Sequence, residues 1–251
     1  MPEAAATAGT RVLVTGAYGS IGRRTLVHLA DRRVDTVAID REPLPPDIAA
    51  LVRRQITVDL LDDAQLARCL ADDPPRLQHV LAIAGGGDAE ELSQADPATE
   101  SLEIFNRVVA RNLSIAFITI RNTMPLLRRA AGDRSITLVG SINAYGGYGA
   151  PGYSAAKAGL SGLVAALATP LGAEGIRINC LALGTVDTEN LRHLAHTRGV
   201  KHDLRAVAER APLRRILTPD DVARSLAAMA LDMPGMTGTT VVLDNGQTLI
   251  R

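Results

Sequence analysis

Arg11-Val12-Leu13-Val14-Thr15-Gly16-Ala17-Tyr18-Gly19-Ser20-Ile21-Gly22 joins a short β-branched apolar run to three glycines and then to a helical pattern through Leu26, Leu29 and Ala30. Strand, glycine turn and helix in that order make a phosphate-holding unit. The glycines let backbone approach a pyrophosphate, and the helix N-terminus offers unpaired N–H groups and a partial positive charge. Gly16, Tyr18, Gly19, Ser20, Ile21 and Gly22 are therefore the predicted phosphate contacts. Asp40 ends the next apolar run, where a carboxylate can accept from adenosine ribose hydroxyls and would repel a 2'-phosphate. This favours NAD over NADP. Arg41 beside it is the residue that could hold a 2'-phosphate, and no basic residue within the glycine loop assists it.

Working outward, apolar β-rich runs at 11–15, 34–40, 55–60, 79–84, 135–140, 176–181 and 239–243 alternate with longer helical patterns. The runs are continuous rather than strictly alternating, which predicts strands buried on both faces. The expected fold class is α/β: one Rossmann-type doubly wound domain over 10–251, with about seven parallel strands, helices on both faces and a flexible N-terminus over 1–9. Pro43, Pro45 and Pro46, and then Pro74 and Pro75, punctuate βα units. One long helix is expected over 101–129, apolar at Ile104, Val108, Leu113 and Phe117, with some of that surface available to a second subunit.

Composition narrows the class. The chain has 251 residues, 47% of them hydrophobic, which suffices for one sizeable core. Lys plus Arg and Asp plus Glu are balanced at 27 each, so no global field favours nucleic acid or an anionic membrane. Cys69 and Cys180 lie far apart without a ligand-spaced Cys or His, so no metal site is expected and both read as thiols of a reducing compartment. The first residues lack the pattern of a signal peptide, and no run is long enough to cross a membrane. A cytoplasmic protein is expected.

The chemistry points to mid-chain. Ser141 is followed by Tyr153-Ser154-Ala155-Ala156-Lys157, a hydroxyl, a phenol and an ammonium at fixed spacing. On a helix Lys157 at i+4 shares a face with Tyr153, where its charge favours the phenolate. Unaided, a tyrosine with a pKa of about 10 is a poor acid–base group at neutral pH. Taken alone, a Tyr-x-x-x-Lys pair is more often an exposed helical pair.

With the glycine loop near the N-terminus and Ser141, Tyr153 and Lys157 in the middle, nearly the whole chain resembles the short-chain dehydrogenase/reductase family. The resemblance implies a tetrad in which Asn112 joins those three residues and positions a water beside Lys157. It also implies an adenine contact at Asp59-Leu60, cofactor contacts at Ala84-Gly85, and a nicotinamide-holding segment with Gly184, Val186 and Thr188; Tyr153 and Lys157 would touch the cofactor as well. A helical lid over 188–211 follows from the same likeness, with its histidines His193, His196 and His202 read as surface residues. Tyr145 and Tyr148 are the expected substrate contacts; neither is followed at i+4 by a lysine. The family's loop order is altered at Gly19-Ser20, Ala82 and Ile83 replace two asparagines, Leu183 replaces a proline, and Asn245 stands where a glycine is common.

The implied activity is reversible hydride transfer between NAD(H) and a small-molecule secondary alcohol or ketone, in a homodimer or homotetramer, with Tyr153 as general acid/base. Two alternatives stand beside it. One is the same tetrad with net non-redox chemistry, an epimerase or dehydratase. The other is a dinucleotide-binding regulatory protein without catalysis.

Overall fold

The computed structural model describes residues 9–71, 76–94, 96–146, 150–197 and 204–249, with backbone alone at 195–197. Most of the predicted N-terminal segment therefore lies outside the described residues. In chain order the elements are β1 (Arg11–Thr15), α1 (Ser20–Asp31), β2 (Asp35–Asp40), α2 (Pro46–Ala49), β3 (Arg54–Thr57), α3 (Asp63–Ala71) and β4 (His79–Ala82). They continue with α4 (Ala89–Leu92), α5 (Leu102–Val109), α6 (Ile115–Arg129), β5 (Arg134–Ser141), α7 (Pro151–Ala173) and β6 (Ile176–Leu183). The last are α8 (Glu189–Thr197), α9 (Leu204–Arg210), α10 (Pro219–Leu231) and β7 (Thr240–Leu243).

All strand pairings are parallel, in the order β3-β2-β1-β4-β5-β6-β7. The chain runs outward from β1 to β3, returns to set β4 against the other side of β1, and proceeds to β7. The order thus reverses between β1 and β4, and in such sheets the ligand crevice lies outside the carboxyl ends of the strands at that reversal.

Alternation along a strand sends successive side chains to opposite faces. Leu13 packs with Leu66, Leu127, Leu160 and Ile178 on one face. Val12 and Val14 pack with Leu26, Leu29, Val222 and Leu226 on the other. Both layers are apolar, so the strands read as unbroken hydrophobic runs. A Leu13→Ala change in this setting costs about 2–5 kcal/mol.

Strand ends are shorter than the apolar runs suggest where side chains offer another bonding pattern. β3 stops at Thr57, and the chain then turns about Asp59, whose carboxylate accepts the Leu61 N–H at 2.9 Å. The expected helix over 101–129 is instead two α-helices joined by a π-helical turn at Ala110–Ser114. The buried Asn112 sits in that turn and donates to the Val108 carbonyl, an amide–backbone bond that accompanies the wider winding.

α7 is long and apolar enough, by length and composition, to cross a membrane. Its buried residues, among them Ala156, Leu160, Val164 and Leu171, belong to the packed body of the fold.

Candidate active site

Two loops meet at the reversal. Gly16 follows β1 with φ +68°, and a Cβ there would lie 2.7 Å from the Ala84 nitrogen after β4. Gly22, inside α1, abuts the Gly16 carbonyl and Ala17 so closely that no side chain fits. Gly19 is different: a Cβ there would meet only the Gly16 oxygen, at 3.5 Å. The first two glycines are required by the chain's own packing, whereas the Gly19 surface faces open space.

Gly19 is the N-cap of α1 and supplies no side-chain cap, and the first turn holds no acidic residue. α4 and α10, by contrast, are capped by Asp88 and by a Thr218–Asp221 capping box. An uncapped helix start behind an open glycine fits an anionic pyrophosphate. At the end of β2 the Asp40 carboxylate is fixed by backbone donors: it accepts from Tyr18 N–H at 2.9 Å, Arg41 N–H at 2.8 Å and Glu42 N–H at 3.3 Å. Tyr18 is exposed beside it, with the Arg23 guanidinium 5.5 Å from its ring. Asp59 is exposed and Leu60 buried at the neighbouring rim.

The mid-chain residues gather at the carboxyl end of the sheet. Ser141 is the last residue of β5, and Tyr153 and Lys157 occupy the first turns of α7. The Lys157 ammonium donates to the Val139 carbonyl at 3.0 Å and stands 5.5 Å from the Tyr153 ring centre. Gly85, φ +135°, fills the corner between Asn112 and Lys157, because a Cβ there would lie 2.7 Å from Asn112 Oδ1 and 3.4 Å from Lys157 Nζ. The Asn112 side chain binds Gly86, accepting its N–H at 2.9 Å and donating to its carbonyl at 3.0 Å.

Removal from water dominates the electrostatics. It pushes the Tyr153 phenol up to about 12, with a hydrogen bond from Ser141 pulling down and the Glu91 charge pushing up. It pushes Lys157 down to about 8, with the Cys180 thiol pulling the other way. The expected depression of the phenol by Lys157 is not among the influences on it: both groups share one dry site, where burial favours the neutral form of each.

α8 seats across the crevice. The Glu189 N–H donates to Ser20 Oγ at 3.3 Å, and Arg23 donates to both Glu189 carboxylate oxygens at 2.7 and 2.8 Å. Asn190 and Leu194 press on the loop after β4, 3.3 and 2.9 Å from where Cβ atoms of Gly86 and Gly87 would stand.

Residues 16–248 match a family model described as enoyl-(acyl carrier protein) reductase. The chain belongs to the short-chain dehydrogenase/reductase family. It is 30% identical over 250 residues to an uncharacterised short-chain type dehydrogenase/reductase of Sinorhizobium fredii, covering 95% of this chain and 43% of that protein. A cis-4-hydroxycyclohexanecarboxylate dehydrogenase of Sinomonas cyclohexanicum is 30% identical over 251 residues, covering 95% of this chain and 96% of the other. Among solved structures, a short-chain dehydrogenase/reductase family oxidoreductase of Burkholderia thailandensis superposes with a TM-score of 0.82 at 26% identity, covering 96% and 93% of the two chains. Short-chain dehydrogenases/reductases are oxidoreductases that bind NAD(P) and act on small molecules.

The departures from the short-chain dehydrogenase/reductase pattern have local explanations. Ser20 gives α8 a hydroxyl to bind, which a glycine would lack. Ala82 and Ile83 are buried on opposite faces of the sheet, replacing polar bracing by apolar packing. Leu183 ends β6 paired with both Ser141 and Leu243, a position where its side chain is buried. Asn245 adopts φ +56°, which asparagine tolerates better than most residues, and its amide donates to the Arg215 carbonyl at 2.9 Å.

The segment after β6 is held by a residue that sequence reasoning missed. The Gln247 side chain accepts from Thr185 N–H at 2.7 Å and donates to Thr185 Oγ1 at 3.1 Å. Gly184 packs on Gln247 and on Asp244, Val186 bridges to Leu217, and the Thr188 hydroxyl accepts from Leu191 N–H at the start of α8. Tyr145 is exposed, with its hydroxyl 3.3 Å from Ser161 on α7; Tyr148 lies outside the described residues, as does His202. Asn143 was also missed. Its Oδ1 accepts from the Ser141 hydroxyl at 3.1 Å, and its N–H donates to Ser141 Oγ at 3.2 Å. No sequence signal marks either Asn143 or Gln247, because each acts through a contact that only the fold creates.

Proposed function

We propose that this protein transfers hydride reversibly between NAD(H) and a carbon bearing a hydroxyl or carbonyl group in a small molecule. Tyr153 passes the proton to or from the substrate oxygen, Ser141 hydrogen-bonds that oxygen, Lys157 binds the nicotinamide ribose and supplies charge beside the phenol, and Asn112 braces the loop at Gly85 and Gly86. The observation that carries this reading is the placement of Tyr153 and Lys157 on one face of α7 beside Ser141, at the crevice that receives the uncapped start of α1. The dinucleotide supplies the hydride when bound; the chain supplies orientation and proton transfer.

Gly16, Gly19, Ser20, Ile21 and Gly22 would cradle the pyrophosphate, and Asp40 the adenosine ribose. Tyr18, Arg41, Asp59 and Leu60 would surround the adenosine, with Ala84, Gly85, Gly184, Val186 and Thr188 at the nicotinamide end. The backbone-fixed Asp40 favours NAD. α8 would form part of a lid over the cofactor, and Tyr145 and Tyr148 would border the substrate. Exposed Leu102 and Phe117 support an oligomer formed through α5, α6 and α7, which an elution volume matching a 26.4 kDa monomer would contradict.

The activity of the Sinomonas relative makes cyclic secondary alcohols the first compounds to try. The test is a spectrophotometric screen of secondary alcohols and ketones with NAD(H) and NADP(H) in parallel. Turnover with NAD(H) and a member of this panel supports the reading, whereas nicotinamide-independent conversion, or binding without turnover throughout, defeats it.

A further inference from the structure

The catalytic helix starts without a cap of its own. Its N-cap is Ala150, which has no side chain to accept a hydrogen bond, and Pro151 leaves Gly152 and Tyr153 as the next N–H donors. The acceptor comes from far along the chain. Glu91, on α4 and only 2% exposed, accepts the Tyr153 N–H through Oε1 at 2.8 Å and also takes the Gly152 N–H. Gly152 leaves room for it: a Cβ there would lie 2.9 Å from that same oxygen and 3.4 Å from the backbone of Phe105.

The other Glu91 oxygen, Oε2, is buried without a partner among the described residues, as are both carboxylate oxygens of Glu100. Burial raises the Glu91 pKa, the charges on Glu100 and Asp88 raise it further, and the bonds from Tyr153 and Gly152 oppose them. Asp88 is itself paired with Arg107 and Arg111, and Arg107 also holds Glu90, so the neighbouring cations are committed to other acids. A carboxylate kept in such surroundings is costly unless it serves the group it binds.

We propose that Glu91 is a positioning residue for proton transfer: it caps α7 at Tyr153 itself and so fixes the phenol against Ser141. The proposal rests on the reading of Tyr153 as the acid/base group. The helix macrodipole favours an anion at this end of α7.

Glu91→Gln keeps an acceptor for the Tyr153 N–H, whereas Glu91→Ala removes it.

The experiment compares wild type, Glu91→Gln, Glu91→Ala and Tyr153→Phe in two ways. One is kcat and KM for ketone reduction with NADH; the other is amide hydrogen exchange of the first turn of α7. Expected in Glu91→Gln are a first turn still protected and a kcat closer to wild type than that of Glu91→Ala. Also expected in Glu91→Ala are faster exchange at Gly152 and Tyr153 and a kcat lowered about tenfold with KM little changed. Unchanged exchange in Glu91→Ala, or a kcat lowered as far in Glu91→Gln as in Glu91→Ala, overturns the proposal. Full activity in Tyr153→Phe would defeat the parent reading instead, and the exchange measurement needs no substrate, so the two failures are separable.

Discussion

The Asn112 amide holds Gly86 by both of its backbone polar groups, at 2.9 and 3.0 Å, while its remaining amide hydrogen goes to the Val108 carbonyl. One side chain thereby ties the π turn of the α5–α6 segment to the loop after β4, and the corner so formed contains Gly85 and the Lys157 ammonium.

Asn112→Asp keeps the acceptor but loses both donated bonds and sets a carboxylate oxygen against the Gly86 and Val108 carbonyls. A stability loss of about 2–3 kcal/mol is expected by denaturant unfolding. The kcat should fall more than the affinity for NADH, because the displaced elements carry Lys157's surroundings rather than the phosphate loop. Equal stability of the variant and wild type would contradict the bracing role.

Gly16→Ala and Gly19→Ala separate fold from ligand. At Gly16 the added methyl meets Ala84 backbone at 2.7 Å with φ +68°, so the variant should unfold at a markedly lower temperature. At Gly19 it meets only a 3.5 Å contact, so the free protein should melt as wild type does. If the pyrophosphate lies on that surface, NADH titration should nevertheless show weakened binding by about tenfold or more.

These contrasts show what a sequence can and cannot carry. The strand, glycine turn and helix at 11–31 were legible because each rests on local chemistry: β-branched runs, backbone freedom, amphipathic spacing. The parallel sheet followed from apolar runs that never alternate. The break at Asn112 was not legible, because the pattern over 101–129 continues through a turn wound differently by a side-chain bond to Val108. Glu91 gave no signal, since one acid among Asp88, Glu90 and Glu91 looks like a solvated helix start until the fold lays α7 on it. Ser20 reads as an irregular loop residue, and its partner Glu189 lies beyond the reach of any local pattern.

Asp40 governs the choice of dinucleotide. Replacing it by asparagine removes the charge that would repel a 2'-phosphate and leaves Arg41 beside the ribose site. The ratio of kcat/KM for NADH over NADPH should drop by about tenfold or more in Asp40→Asn. An unchanged ratio would place the adenosine ribose elsewhere.

His79 makes the fold sensitive to acid. It is buried, 2.8 Å from the Ser135 hydroxyl, and burial pushes its pKa from 6.5 down to about 4, with Asp133 opposing and Arg177 adding to the fall. Between those values the unfolded chain binds a proton that the folded chain refuses, so stability is full above 6.5 and is lost as pH falls towards 4. The loss attributable to this one ring is about 3 kcal/mol. Urea midpoints across that window should fall less steeply in His79→Gln than in wild type, and parallel curves would contradict the assignment.

The central claim is that Tyr153 moves the proton. Its most direct measurement is NADH formation by wild type and Tyr153→Phe with a secondary alcohol that the wild type oxidises, alongside NADH binding to each. The phenylalanine variant should bind NADH with nearly unchanged affinity and turn over at no more than about 1% of the wild-type rate. Retention of more than a few per cent, with cofactor binding intact, would assign the proton to another group.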